Sequence, residues 1–257
     1  MFAKNAYVAV ISVAISVHAA PMPVADGDIS KKVGDLVSKS PCSKYMWKNR
    51  GKAPIGYVKG VALTYAKSYC ELKKKEDTAV AVFGQELQGD NKDALAWYGL
   101  NGQSSNDRQR LTYTLALGLG MRESSGNTTE GRDTTVAHPT ASNAEAGLFQ
   151  TSYDSFNVSP WLKRLSDQYR ENESACLLDV FKEGVKIKNK EIIGSGPGAD
   201  YQRFTKACPA FATEYVMIML RVNRKHFGPI NQKKAEVVQS CNAMLKEIEQ
   251  VADVGCP

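Results

Sequence analysis

After its first twenty residues the chain has no apolar run approaching the about 20 consecutive residues a bilayer-crossing helix needs, so no membrane span is expected in its body. It has no basic stripe interleaved with aromatics. Its densest basic run, Glu71-Leu72-Lys73-Lys74-Lys75-Glu76-Asp77, is bracketed by acids and reads as a solvated helix end, which sets nucleic acid aside as a partner. The six cysteines, at positions 42, 70, 176, 208, 241 and 256, include no close pair of the zinc-binding kind, and neither a metal nor a cofactor is expected. Segments alternating with period two are scarce, which excludes a sheet-dominated fold. No internal repeat and no interdomain linker stands out, so one domain is expected from residue 27 to residue 257.

The first twenty residues carry one charge, Lys4, then an apolar run from Tyr7 to Val17 and the small-residue stretch Val17-His18-Ala19-Ala20. This is the pattern of a secretory signal peptide over residues 1–20, and it predicts a secreted protein. An oxidising destination makes disulfides the expected state of the six cysteines. Six cysteines allow 15 pairings. Nearest neighbours are the simplest expectation: Cys42 with Cys70, Cys176 with Cys208, and Cys241 with Cys256. A net charge of +6 makes the surface mildly cationic, suited to an anionic polymer, and the protein is expected to be a monomer.

Apolar residues recur at three- and four-residue spacings, and the expected fold class is mainly α. Helices are predicted over about 29–38, 55–74, 90–100, 107–122, 160–170, 176–186, 209–226 and 232–252. Ser105-Asn106-Asp107 supplies start chemistry for the fourth of these. Leu111, Leu115 and Leu119 form one core-facing stripe along it. Gly118 and Gly120 each lower helicity by up to about 1 kcal/mol relative to alanine, a loss that close approach of another element would offset. From Ser124 to Ala144 the composition turns to Ser, Gly, Asn, Thr, Asp, His and Pro. So long a polar excursion inside a helical domain points to a functional or mobile loop, with Thr134-Thr135-Val136 as a short hairpin candidate. Gly194-Ser195-Gly196-Pro197-Gly198 reads as a turn, because Pro197 removes an amide that a phosphate loop would need.

The chemistry concentrates in Gly118-Leu119-Gly120-Met121-Arg122-Glu123-Ser124-Ser125-Gly126-Asn127 and Ala144-Glu145-Ala146-Gly147-Leu148-Phe149-Gln150-Thr151-Ser152. A carboxylate closing an apolar helix is partly desolvated and faces the negative end of the helix dipole, and both effects favour the proton-carrying form. Cleavage of a glycosidic bond requires such a proton donor. The pair Glu123-Ser124-Ser125-Gly126 and Gly147-Leu148-Phe149-Gln150 resembles the lysozyme-like superfamily, in particular soluble lytic transglycosylases and goose-type lysozymes. The likeness covers Leu111 to Ser155, with a weaker echo near Tyr215 to Asn231. It implies a lysozyme-like helical domain with a polar loop or small hairpin beside a cleft. It also implies a polysaccharide substrate built of amino sugars, and Glu123 as general acid. Ser125, Glu145, Gln150 and Tyr153 would line the cleft, joined by Tyr215 and Asn223 as counterparts of a Tyr-Asn-like pair on a late helix.

A second carboxylate would decide between attack by water and attack by the sugar's own hydroxyl. Asp133, Glu130 and Glu145 are the local choices, and Asp133 is the one placed between the two motifs with the residue type of the goose-type enzymes. Where those enzymes carry an aspartate after the Gln, this chain reads Thr151-Ser152, so hydrolysis and transglycosylation both stay open, as do peptidoglycan, chitin and chitosan. A catalytically inactive sugar-binding relative and an inhibitor-type protein are the competing classes. His138 reads as an exposed loop residue and His226 as a helix-end cation. Sequons occur at Asn127, Asn157 and Asn172, of which Asn157 is compromised by Pro160 and Asn127 adjoins the expected cleft.

Overall fold

The computed structural model describes residues 27–85, 87, 93–132, 134–135, 137–185 and 191–256. The expected signal peptide, Asp133 and Val136 lie outside them. The chain is mainly helical. Helix α1 (Gly27–Lys39) leads into a hairpin of β1 (Met46–Trp47) and β2 (Gly51–Lys52), followed by α2 (Ile55–Lys73), α3 (Asp77–Phe83), α4 (Ala94–Tyr98) and α5 (Ser105–Ser124). After the polar excursion come α6 (Pro160–Glu171), α7 (Leu178–Phe181), α8 (Pro197–Ala207), α9 (Pro209–Val222), α10 (Gly228–Asn231) and α11 (Gln239–Gly255). No helix among the described residues is long and apolar enough to cross a membrane.

Helix α5 lies among α2, α3, α4, α9, α10 and α11. The leucine spacing predicts one buried face, yet every residue from Thr112 to Met121 is buried, because α2, α3, α9 and α11 all pack against it. Its polar residues tolerate this by bonding within the helix: the Thr112 hydroxyl donates to Arg108 O at 2.7 Å and that of Thr114 to Arg110 O at 2.9 Å. The two glycines permit close approach, as their helix cost requires. A Cβ on Gly118 would stand 2.1 Å from the Glu236 carbonyl oxygen, and one on Gly120 would stand 2.4 Å from the Tyr57 hydroxyl. The helix is capped one residue earlier than Ser105: the extended Ser104 accepts from Asp107 N at 3.1 Å.

All six cysteines are paired, but only Cys176–Cys208 joins the expected neighbours. The others are Cys42–Cys241 and Cys70–Cys256, spanning 199 and 186 residues. The correction follows from α11, which lies along both α1 and α2 and so carries the chain end back to the beginning. Its start meets Cys42, and its end meets the last turns of α2.

Several expected helices are shorter. The one expected over 232–252 starts at Gln239, because Glu236 is held before it by Tyr45 Oη at 2.9 Å and Lys48 N at 2.8 Å, under Gly118. The one expected over 176–186 is a 3-10 turn (Glu173–Cys176) and the single turn α7, separated by the left-handed Leu177. Helix α9 ends at Val222, where Asn223 leaves the helical conformation at φ −154° and ψ 65°, rather than at His226. The helix expected over 90–100 begins at Ala94, capped by Asp93, whose carboxylate accepts from Leu95 N at 3.0 Å. Helices α3 and α8 were not expected; the turn at Gly194 holds through Gly196, after which Pro197 begins α8. Among the described residues the two-stranded hairpin is β1–β2, with Met46 opposite Lys52 and Trp47 opposite Gly51, whereas Thr134 and Thr135 lie in an exposed turn.

Candidate functional site

Glu123 occupies the last turn of α5, half-buried. The helix stops because Ser125 turns left-handed, at φ 57°, and folds the chain back so that the Ser125 and Gly126 amides close on the carbonyls of Met121 (3.1 Å) and Gly120 (3.3 Å). The β1–β2 hairpin clasps the same end. Arg50 Nη2 donates to the Arg122 carbonyl, and Arg122 Nη1 donates to Lys48 O at 3.4 Å. A guanidinium there offsets the negative end of the helix dipole beside Glu123.

Ser124 couples the two motif segments. Its buried hydroxyl lies 2.8 Å from Leu148 O and 3.1 Å from Gly120 O as acceptors, and its oxygen accepts from Asn127 N at 3.1 Å. The second segment is a tight turn. Ala146 N donates to Thr151 O at 3.0 Å, Gly147 takes φ 75°, and Gln150 takes φ 49° with its side-chain amide donating to Gly147 O at 3.0 Å. Gly147 N reaches across to Glu130 O at 3.0 Å, and Asn127 Nδ2 meets Glu130 Oε2 at 3.3 Å. Residues 120–130 and 146–151 are therefore one hydrogen-bonded unit, with Glu123, Ser125, Glu130, Glu145 and Gln150 on it or beside it. The polar excursion is divided: Ser124, Gly126, Asn127, Thr128 and Gly131 are buried, while Thr134, Thr135 and His138 are exposed.

An aromatic cluster underlies this turn. Tyr201 Oη donates to Thr151 Oγ1 at 2.7 Å, and the Tyr201 ring packs edge-on to Phe156 at 5.3 Å and to Tyr153 at 6.4 Å. Tyr153 is half-buried. Tyr215 is fully buried, its ring 5.8 Å from Tyr201 and 5.6 Å from Phe156, and burial pushes its hydroxyl up to about 12. It belongs to the floor beneath the turn, so the expected role of lining a cleft is replaced by support. Asn223, half-buried at the end of α9, donates its backbone N–H to Met219 O at 2.8 Å and lies outside the unit of residues 120–130 and 146–151. Asp133 lies outside the described residues.

His226 is corrected as well. It sits in a 3-10 turn (Arg224–His226) beyond α9, and burial favours its neutral form, which suits packing on Phe227 rather than a cation at a helix end. Among the sequons, Asn127 is not a surface group: its Oδ1 accepts from Thr129 N at 3.0 Å. Sequence reasoning passed over Ser124, although it stands inside the quoted motif, and over Arg50 and Tyr201, which no local pattern connects to the site. The described residues contain no group of three or more His, Cys, Asp or Glu arranged to hold a metal. No family model, no curated protein and no solved structure matches the chain.

Proposed function

We propose that the chain is a secreted glycosidase of lysozyme-like type, cleaving β-1,4 bonds of an amino-sugar polymer with Glu123 as general acid. The observation that carries this reading is the Ser124 hydroxyl bonded to Leu148 O. It joins the two segments on which the resemblance rests, so that the helix end bearing Glu123 and the turn bearing Gln150 are built together. Three disulfides agree with an exported protein. Glu123 stands half-buried at a chain reversal, where a side chain is both held and accessible. A protonated glutamate there donates its proton to the glycosidic oxygen as the bond breaks; where the sugar's own hydroxyl attacks, the resulting carboxylate accepts the proton of that hydroxyl, and where water attacks a second carboxylate takes it. Asp133 is the proposed base for an attacking water.

The test is Glu123→Gln assayed on peptidoglycan and on chitin oligosaccharides. Shape is nearly preserved, so the expected result is an unchanged melting temperature with a loss of about 10²–10⁴ in rate. Full activity of the variant would end the assignment. Absence of activity in the unaltered protein on every such polymer would favour an inactive sugar-binding relative.

A further inference from the structure

Midway along α5, away from Glu123, lies a second place, a partly open cavity. A cavity of about 40 Å³ opens between α2, α3, α5, α6 and α9, with Ser68, Glu71, Glu76, Tyr113 and Glu214 supplying much of its polar lining. Phe83, Leu165 and Met217 give it an apolar wall. Lys67 is the cation paired with this acidic group: its Nζ lies 2.6 Å from Glu71 Oε1 and 3.0 Å from Glu214 Oε1. One ammonium thus serves two carboxylates, and Glu76 adds a third acid. The hydroxyl of Tyr113, fully buried, lies near Ser68 without a hydrogen bond of ordinary geometry to any group of the protein. Ser68 Oγ is already engaged by Gln109 Nε2 at 2.9 Å.

An under-compensated acidic cavity with an unused buried hydroxyl calls for a further cation. The three carboxylates are not gathered closely enough to coordinate a metal ion. Their spread suits a donor with several N–H bonds, and the apolar wall suits carbon. One water needs about 10–15 Å³ of such space, so the cavity admits about three non-hydrogen atoms. We propose that this cavity binds a small primary ammonium ion, of the size of ammonium, methylammonium or ethylammonium, its N–H donors shared among the Tyr113 oxygen and the nearer of the Glu71, Glu76 and Glu214 carboxylates rather than gathered by all of them.

Occupancy depends on pH. The charged and titratable groups facing Glu214 are Lys67 and Glu71 from α2, Tyr113 from α5 and Tyr169 from α6. Burial, opposed by Lys67, pushes the Glu214 carboxyl up to about 7, and burial together with Glu71, opposed by Lys67 and the solvent-exposed Lys74, raises Glu76. Binding therefore strengthens as pH rises and these groups ionise.

The experiment titrates the full chain with methylammonium chloride, read by calorimetry and by melting temperature, at about pH 8 and about pH 5. Sodium chloride and tetramethylammonium chloride at equal ionic strength are the comparisons. The expected result is saturable binding and stabilisation by methylammonium at the higher pH, about tenfold weaker at the lower, with neither comparison salt doing the same. Tyr113→Phe keeps the ring and removes the free oxygen, and Glu76→Gln leaves the Lys67 pairs intact. Each should weaken binding about fivefold or more. Equal effects from all three salts would overturn the proposal, as would unchanged affinity in both variants or no saturable binding at the higher pH.

Discussion

Glu123 and Glu214 are the same residue type placed under opposite constraints. Glu123 ends a helix, half-buried, at a reversal held by backbone bonds and by Arg50 on the neighbouring carbonyl. Glu214 is 6% exposed within α9, bonded to Lys67 at 3.0 Å, and burial pushes its carboxyl up to about 7. A glutamate that holds its proton near neutrality can thus arise without any sequence motif, from desolvation that one lysine only partly offsets. A glutamate proposed to meet a substrate needs access instead, and Glu123 has it from where the helix stops. Glu123→Gln keeps the shape and removes the proton, and so tests the role proposed for the first.

The sharpest test of the second place is Lys67→Met. With its ammonium gone, the buried Glu214 and the half-buried Glu71 lose the cation they share, and stability should fall by about 3–5 kcal/mol in urea unfolding near neutral pH or above. The loss should shrink toward about pH 5, where Glu214 is protonated. A loss independent of pH would remove Glu214 from the account. Ser124→Ala tests the first place by stability. The change deprives Leu148 O and Asn127 N of their partner, and about 1–3 kcal/mol should be lost, together with hydrogen-exchange protection in residues 124–130 and 146–151. Protection lost in only one of those segments would show that the hydroxyl does not couple them.

The smallest effect is a slope. Because the folded carboxyl of Glu214 takes its proton at about 7 against the usual 4.5, the folded protein binds the extra proton between those values. Stability from this group therefore falls as pH rises through that window. Glu214→Gln should flatten that part of the stability curve, and an unaltered curve would contradict the burial argument.

Much of this was legible locally. Ile55–Lys73 and Pro160–Glu171 form helices close to where their apolar spacing predicts them, and Gly118 and Gly120 admit Glu236 and Tyr57 as small residues inside a helix should. That α5 ends just after Glu123 was legible too, since Ser125-Gly126 is chain-reversing chemistry. Asp133 was identified by residue type, outside the described residues. Tyr215 and Asn223 were chosen by likeness to a late-helix pair, and spacing along a helix does not say whether a ring faces a cleft or the core.

By itself the sequence determined the mainly helical class, that every cysteine is bonded though not to which partner, and the segments that carry the candidate chemistry, because periodicity, compartment and turn residues act over a few positions. Tertiary structure alone decided that Cys42 and Cys70 close on the far end of the chain, that Tyr215 is buried under the Thr151 turn, and that Lys67 meets Glu214 across 147 residues. These are contacts between elements distant in sequence, and they depend on which helix faces pack together. No short pattern of residues carries that information.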